Sequence, residues 1–318
     1  MHDRLPPTAR RHPPPPPVVD WGEAQFRLSP TVSVLLGAEG GRYPAGNAVL
    51  VEGGAESAII DPSVTVVAAG GAPVPVDVVI NSHGHEDHVA GNGLFAGARV
   101  HAHHDDLPAV HAFEGLLDVY GFPAGPARDE FATTVLEEFH YTARPDATGF
   151  GDGHVFDLGA GVTIEALHLP GHTRGHSGFV IDDVFFLSDI DLTGFGPYYG
   201  DAWSDLEQFE DSLRVARQVE ARWYVTFHHR GVIEGRHTFL TLLDEFHAVI
   251  DRRHRAMLDF LAEPRSITDM AERRFVYRSD VESGFVEHVE ARTASLHLAR
   301  MLERGEVNEV EAGRYQRH

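Results

Sequence analysis

Four potential metal ligands stand within six consecutive positions of the chain, at His83, His85, Asp87 and His88. Imidazole nitrogens and carboxylate oxygens suit a borderline divalent ion. Residues two apart in an extended segment point the same way, so His83 and His85 can hold one ion. The tighter turn through Asp87 and His88 can direct two groups at a neighbouring ion. The spacing therefore predicts a site for two metal ions, which we favour over a histidine-rich surface loop.

Short apolar runs, typical of buried strands, end just before each candidate ligand. The first cluster follows the run Val78–Ile80, and three later candidates also follow such runs, namely His172, Asp189 and His228. Asp189 is preferred to Asp191 because it comes first after its strand, and His229 remains an alternative to His228. Loops at four strand ends are therefore predicted to bring the ligands together.

Other histidines are predicted to have different roles. A ligating imidazole usually needs a neighbour to orient its second nitrogen, so we expect His176 to hold the loop that carries His172. A further set lacks the tight spacing of the first cluster and is predicted to be solvated or to cap helices: His101, His103, His104 and His111.

The composition restricts the chemistry that the chain can perform. It has 318 residues, no cysteine, and 26 basic residues that are all arginine. Thiol nucleophiles, disulfides, iron-sulfur clusters, Schiff bases and Walker-type phosphate loops are therefore excluded. The net charge of -22 opposes non-specific binding to nucleic acid or an anionic membrane. We expect a small-molecule substrate and a metal site of nitrogen and oxygen ligands.

Three segments are predicted from composition and element order. Residues 1–20 are a proline-rich, disordered tail that includes five consecutive prolines from Pro13 to Pro17. Residues 21–262 form the main domain and residues 263–318 a small C-terminal domain. No apolar run approaches the length of a membrane span and no signal peptide is evident, so a cytoplasmic location is expected.

The main elements follow from hydrophobic periodicity. Predicted strands form an antiparallel meander and later a hairpin, at 32–36, 48–52, 57–60, 157–169, 179–181 and 184–187. Predicted helices include 106–120, one opened by a capping box of Ser204 and Glu207, and 236–261, which Pro264 ends. In the C-terminal segment we predict two helices followed by a small β element.

These residues resemble the metallo-β-lactamase superfamily of metal-dependent hydrolases over about residues 25–261, through the motif H-x-H-x-D-H and the later ligands in order. The resemblance implies an α/β (α+β) fold, a four-layer αβ/βα sandwich of two mixed sheets. It also implies that His83, His85 and His172 hold one ion, that Asp87, His88 and His228 hold another, and that Asp189 lies between them. The family usually has Gly-Asp and Gly-His-Gly where this chain has Ser188-Asp189 and Phe227-His228-His229.

The leading functional prediction is a hydrolase with two zinc ions per chain and a bridging hydroxide that cleaves a thioester, lactone or phosphoester. Asp87 is predicted to be catalytic as well as a ligand. One alternative is a mononuclear Fe(II) persulfide dioxygenase, since branches of the same superfamily keep these ligands. Another is a nucleic-acid-processing metallo-nuclease, which the net charge opposes.

The C-terminal segment is similar to the winged-helix appendage of some hydrolases in this superfamily, those called β-lactamase-like protein 2. The metallo-hydrolase part resembles those proteins and hydroxyacylglutathione hydrolase. The similarity of the C-terminal segment depends on element order. We expect the segment to shape the substrate entrance or to form a homodimer contact.

Overall fold

The computed structural model describes residues 21–281 and 283–318, so the predicted tail over residues 1–20 lies outside the described residues. Its strands are β1 Gln25–Arg27, β2 Val32–Leu35, β3 Ala48–Glu52, β4 Ser57–Ile60, β5 Val78–Ile80, β6 Arg99–His103, β7 Thr148–Phe150, β8 Val155–Asp157, β9 Thr163–His168, β10 Ser177–Ile181, β11 Val184–Phe186, β12 Trp223–Val225, β13 Val232–Glu234, β14 Val307–Glu311 and β15 Arg314–Arg317. Its helices are α1 Trp21–Ala24, α2 Ala38–Gly41, α3 Val64–Ala68, α4 Glu86–Val89, α5 Leu107–His111, α6 Phe113–Tyr120, α7 Pro126–Glu137, α8 Leu206–Ala216, α9 Arg236–Phe260, α10 Ile267–Arg273 and α11 Val286–Glu303.

The strands form two large mixed sheets and one hairpin. The first sheet has the order β1 to β7, antiparallel as far as β4 and parallel from β4 to β7. The second has the order β13-β12-β11-β10-β9-β8, in which only the β11–β12 pair is parallel among the described strands. The antiparallel meander and the β10–β11 hairpin predicted from sequence are both present.

Alternation along the strands produces the layers. In β3, Val49 and Val51 enter the core between the two sheets, whereas Ala48 and Leu50 pack beneath the helices of the first sheet. This is the two-residue period of a strand buried on both faces. Helices α8 and α9 cover the outer face of the second sheet through a third core. The predicted four-layer αβ/βα sandwich is therefore confirmed.

Two helix predictions need correction. The helix expected over 106–120 is divided, because Ala112 is extended (φ -150°, ψ 145°) between α5 and α6. The capping box of Ser204 and Glu207 is absent from α8. Asp205 caps that helix by accepting a hydrogen bond from the Gln208 amide at 2.9 Å, and the Ser204 hydroxyl donates instead to a loop carbonyl.

The C-terminal segment packs on the end of α9. Helices α10 and α11 and the β14–β15 hairpin share an apolar cluster with α9, centred on Met257, Met270 and Met301. Arg265 pairs with Tyr315 across a single antiparallel bridge, which ties the start of the segment to the hairpin. No helix in the described part of the chain has the length and apolar character to cross a membrane.

Candidate metal centre

Loops at the ends of β5, β9, β11 and β12 meet at one edge of the sandwich. They bring the seven predicted ligands into two adjacent groups, within each of which the potential ligand atoms lie within 4.8 Å of one another. The first group contains His83, His85, His172 and Asp189, and the second contains Asp87, His88 and His228.

The first group presents three imidazole nitrogens around a common point. His83 Nε2 lies 3.0 Å from His85 Nδ1, and His172 Nε2 lies 3.2 Å and 3.1 Å from these two atoms. Ligands about 2.1 Å from a tetrahedral ion are separated by about 3.4 Å. The nitrogens therefore converge almost as closely as three ligands of one zinc-sized ion.

Asp189 connects the two groups through its two carboxylate oxygens. Oδ2 lies 3.2 Å from His172 Nε2 in the first group, and Oδ1 lies 3.0 Å from His88 Nε2 in the second. The second group is completed by Asp87, whose Oδ2 lies 3.0 Å from His228 Nε2. A carboxylate placed in this way can contact two ions at once.

Several buried polar atoms at the site lack a partner in hydrogen-bond geometry. Asp87 Oδ2, His88 Nε2 and Asp189 Oδ1 are among them. The nearest polar atoms are other candidate ligand atoms, since Asp189 Oδ1 and His88 Nε2 face each other at 3.0 Å and Asp87 Oδ2 faces His228 Nε2 at 3.0 Å. Leaving buried polar atoms unsatisfied costs about 1–3 kcal/mol each, so their clustering calls for a ligand. Since the donors are imidazole and carboxylate, the residues present fit divalent metal ions.

Each histidine of the first group has its other ring nitrogen oriented by a neighbour, as metal ligands require. His83 Nδ1 lies 3.0 Å from the Ser82 hydroxyl, and His172 Nδ1 donates to the Tyr198 carbonyl at 2.9 Å. His85 directs Nδ1 inward and places Nε2 3.1 Å from Asp201 Oδ2. Asp201 is fully buried, so its carboxylate contacts the surrounding side chains and not bulk water.

The histidines of the second group are oriented in the same manner. His88 Nδ1 lies 2.8 Å from Asp61 Oδ2, and His228 Nδ1 donates to the Gly41 carbonyl at 2.8 Å. His176 donates from Nδ1 to the Leu169 carbonyl and accepts from the Asp189 amide at Nε2. This geometry supports the predicted role of His176 in holding the loop.

Asp106 joins the two ligand-bearing loops. Its carboxylate accepts hydrogen bonds from the Gly84 amide at 2.9 Å, the Thr173 hydroxyl at 2.6 Å and the Gly175 amide at 2.7 Å. Gly171 allows the second loop its path, because it has φ +120° and a Cβ there would lie 2.2 Å from the Phe209 amide nitrogen. The positions of His83 and His172 are thus coupled through one buried acid.

Three residues replace the glycines of the family pattern, Ser188, Phe227 and His229, and two of them fall on left-handed backbone. Ser188 has φ 50° and His229 has φ 60°. A non-glycine residue in this region costs about 1–2 kcal/mol. At Ser188 a 2.6 Å hydrogen bond between its hydroxyl and that of Ser82 offsets the strain. His229 is exposed and lies outside both groups, whereas His228 lies within the second.

Charge at the site is predominantly negative around the second group. Burial would lower the pKa of His88, but Asp189 and Asp87 outweigh it and raise that pKa well above its usual value. Burial would also lower the pKa of His228, which the same two carboxylates raise to about 10. By contrast, burial and the adjacent His88 hold the pKa of His83 well below its usual value. The excess of negative charge is what a bound cation would neutralise.

Helix α11 supports the loop that orients the first group. Arg292 donates from Nε to the Asp201 carbonyl at 3.1 Å and from a terminal nitrogen to the Ser204 carbonyl at 3.0 Å. Gly200 packs closely against Val289, since a Cβ added to Gly200 would lie 2.2 Å from Val289 Cγ1. The C-terminal segment is therefore in direct contact with the surroundings of the metal site.

Several residues of the site were not predicted from sequence. Asp61 comes directly after β4, which is the same signal that identified Asp189, so it could have been found. Asp106 was identified only as the first residue of the predicted helix over 106–120. Asp201 and Arg292 carry no local signal, because their roles arise from contacts between distant parts of the chain.

A third set of potential ligands, His103, Asp105 and His168, lies outside the two groups. The rings of His103 and His168 are stacked, with centroids 4.0 Å apart and planes inclined by 9°. Nitrogen lone pairs lie in the ring plane, so two parallel rings do not direct them at one ion. We assign no metal to this set.

Comparison with known proteins identifies the family. The metallo-beta-lactamase family protein TTHA1429 from Thermus thermophilus is 21% identical, with a TM-score of 0.68 over 92% of this chain and 100% of that chain. A beta-lactamase domain protein from Burkholderia ambifaria is 18% identical, with a TM-score of 0.67 over 92% of this chain and 93% of that one. At these identities the similarity establishes the fold. Each comparison covers 92% of this chain, so the similarity extends past residue 262 into the C-terminal segment. A family model described as the metallo-beta-lactamase superfamily matches residues 42–242, more than half of the sequence, and the chain therefore belongs to that superfamily.

Proposed function

We propose that the protein is a hydrolase that holds two zinc ions and cleaves an ester-like bond of a small molecule. The observation that carries the proposal is the position of Asp189, with one carboxylate oxygen facing each ligand group. When bound, the two zinc ions supply a hydroxide nucleophile near neutral pH and stabilise negative charge on the substrate oxygen. With neither cysteine nor lysine in the chain, we expect no covalent enzyme intermediate.

The chain itself contributes a proton-transfer group. Asp87 lines the cavity above the two groups, and its Oδ2 faces His228 Nε2 at 3.0 Å. We propose that the Asp87 carboxylate also accepts a proton from the attacking water and passes it to the leaving group. Superfamily membership and the histidine and aspartate groups support this class of reaction.

A mononuclear iron dioxygenase remains the alternative, since imidazole and carboxylate also suit Fe(II). Metal analysis of protein purified without added metal separates the two functions. Two zinc ions per chain, together with hydrolysis of thioesters, lactones or phosphoesters, support the proposal. One iron per chain, together with oxygen consumption on glutathione persulfide, would reject it.

Replacing His228 with alanine should abolish zinc binding at the second group, whereas replacing His229 should not. His228 Nε2 is directed at Asp87, while His229 is exposed. We expect one zinc per chain in the first variant and two in the second, measured by atomic emission after dialysis. Full zinc content in His228→Ala with loss in His229→Ala would reverse the assignment.

We also propose that residues 263–318 form a winged-helix-like module that does not bind nucleic acid. Helices α10 and α11 followed by a hairpin have the element order of such modules. The hairpin exposes Glu309 and Glu311, while Arg314 and Arg317 pair with acids. The homodimer contact and the cytoplasmic location remain predictions.

The protein should therefore show no binding of duplex DNA or RNA, because exposed acids in the hairpin repel phosphates. Fluorescence anisotropy with a 20-base-pair duplex at ~150 mM salt provides the measurement. Binding that weakens as salt rises would instead favour the metallo-nuclease alternative.

A further inference from the structure

A cavity of ≈ 320 Å³ lies above the two ligand groups. Its volume is in the range of small-molecule sites. Four phenylalanines form much of its wall, from three separate parts of the chain: Phe122, Phe131, Phe195 and Phe285. The reacting end of a substrate would meet the ligand groups while the remainder contacts these rings.

The aromatic wall is continuous and well packed. Phe131 lies edge-on to Tyr120, with centroids 4.4 Å apart, and 5.3 Å from Phe122. On the other side, the ring centroid of Tyr277 lies 5.6 Å from that of Phe195 and 5.7 Å from that of Phe285. Such interlocked rings define a shape with little freedom to rearrange, and Tyr277 and Phe285 show that the C-terminal segment forms part of it.

No positive side chain other than histidine lines the cavity within the described part of the chain. Arg42 and Arg230 are sequence neighbours of lining residues, but Arg42 pairs with Glu39 at 3.3 Å and Arg230 donates to the Leu192 carbonyl at 3.1 Å. Recognition of a phosphate or carboxylate normally uses arginine or lysine. Away from the two ligand groups, the cavity wall therefore offers no arginine to pair with an anionic substituent.

Two carboxyl groups line the cavity in addition to those that face the metal ions. Glu86 accepts hydrogen bonds from the Tyr43 hydroxyl at 3.0 Å and from the Tyr120 hydroxyl. Asp191 also lines the cavity and belongs to neither ligand group. Neither side chain supplies the positive charge with which an arginine or lysine recognises an anion.

We propose that the substrate is a neutral carboxylic ester, open or cyclic, that carries an aryl or branched apolar group. This inference depends on the proposed hydrolase function and selects among its substrates. Water oxygen bonds to the acyl carbon, and the bond between that carbon and the ester oxygen breaks with its electron pair on the oxygen. The proton from water passes through the Asp87 carboxylate to the leaving oxygen, giving an acid and an alcohol.

A neighbouring crevice lined by arginines is the feature that would bind an anionic substituent if the inference is wrong. A crevice of ≈ 610 Å³ adjoins the cavity behind Phe195 and Tyr277, and three arginines line it: Arg252, Arg253 and Arg278. The Arg253 guanidinium donates hydrogen bonds to the carbonyls of Pro197 and Phe195, the latter at 2.7 Å. Arg278 lies 3.5 Å from Asp280.

Two methyl 3-phenylpropanoates that differ only in their para substituent, methyl or carboxylate, test the inference. With the zinc-loaded full chain we expect kcat/KM about 100-fold lower for the carboxylate, because its charged group is buried among aromatic rings with no cationic side chain to pair with it. A para-carboxamide ester controls for size and polarity and should fall between the two. Equal or faster cleavage of the carboxylate would overturn the substrate class while leaving hydrolysis intact.

A charge placed in the wall provides the second measurement. Phe131→Arg should reduce the ratio of kcat/KM for the para-methyl ester to kcat/KM for the para-carboxylate ester by about tenfold. The matched control is Leu136→Arg, which adds the same charge to α7 at a half-exposed position outside the cavity lining and should leave the ratio unchanged. An equal change in both variants would overturn the assignment of the wall.

Different results would reject the substrate class and the hydrolase function. Cleavage of phosphodiesters or anionic thioesters in preference to every neutral ester would overturn the substrate class alone. Failure of the protein, with two zinc ions bound, to cleave any ester, thioester, lactone or phosphodiester would reject hydrolysis, and the substrate class with it.

Discussion

Asp87→Asn should lower kcat by a factor of about 100 to 10,000 while KM changes little. Asparagine has nearly the same size as aspartate and can still offer an oxygen to a metal ion. Its amide cannot accept and release a proton, which is the role that we propose for the Asp87 carboxylate in the cavity. The loss should therefore appear in turnover rather than in substrate binding.

Zinc content must be measured alongside the rate, because Asp87 also belongs to the second ligand group. The assay is run with zinc in excess, so that the variant and the parent both carry two ions. If kcat then returns to within about threefold of the parent, Asp87 acts only as a ligand and the proton-transfer role is wrong.

Asp201→Ala should weaken zinc binding at the first group by a factor of about 10 to 100, although Asp201 is not itself among the potential ligands. Its carboxylate lies 3.1 Å from His85 Nε2 and also accepts a hydrogen bond from the Tyr198 hydroxyl at 2.9 Å. Without it, His85 loses the partner that fixes its ring orientation. Competition with a chromogenic chelator measures the zinc dissociation constants directly.

Two further variants separate orientation from folding. Asp201→Asn retains an oxygen that can accept from His85 Nε2, so it should restore part of the affinity. Asp205→Ala removes the cap of α8 four residues later and should cost about 1 kcal/mol of stability without changing zinc affinity. Equal loss of zinc affinity in Asp205→Ala would show that the loop responds to any destabilisation.

The grouping of the candidate ligands could be predicted from sequence because the signal for each one is local. A short apolar run ends and a histidine or acid follows, so the strand and the ligand are visible in the same ten residues. Asp189 and the H-x-H-x-D-H cluster illustrate this. The layers were predictable for the same reason, since a two-residue alternation such as that of β3 already fixes which side chains face each core.

The orienting groups could not be predicted in this way. Asp201 follows no strand, and its contact with His85 joins residues 116 positions apart. The break at Ala112 and the cap at Asp205 depend on backbone angles that neighbouring packing determines. Ser204 had the right residue type for a cap, but its hydroxyl donates to the His172 carbonyl at 2.7 Å. Tertiary contacts decided between two locally acceptable arrangements.

The contact between Arg292 and the loop at Asp201 predicts an order of events during synthesis. A chain leaving the ribosome has exposed every potential ligand once His228 has emerged, yet α11 is still to come. We expect metal binding at full affinity only after α11 has folded onto that loop, because Asp201 on the loop faces His85 Nε2. An ion bound earlier would exchange readily, so tight retention of the bound metal would mark chains whose C-terminal helices have already packed against the main domain.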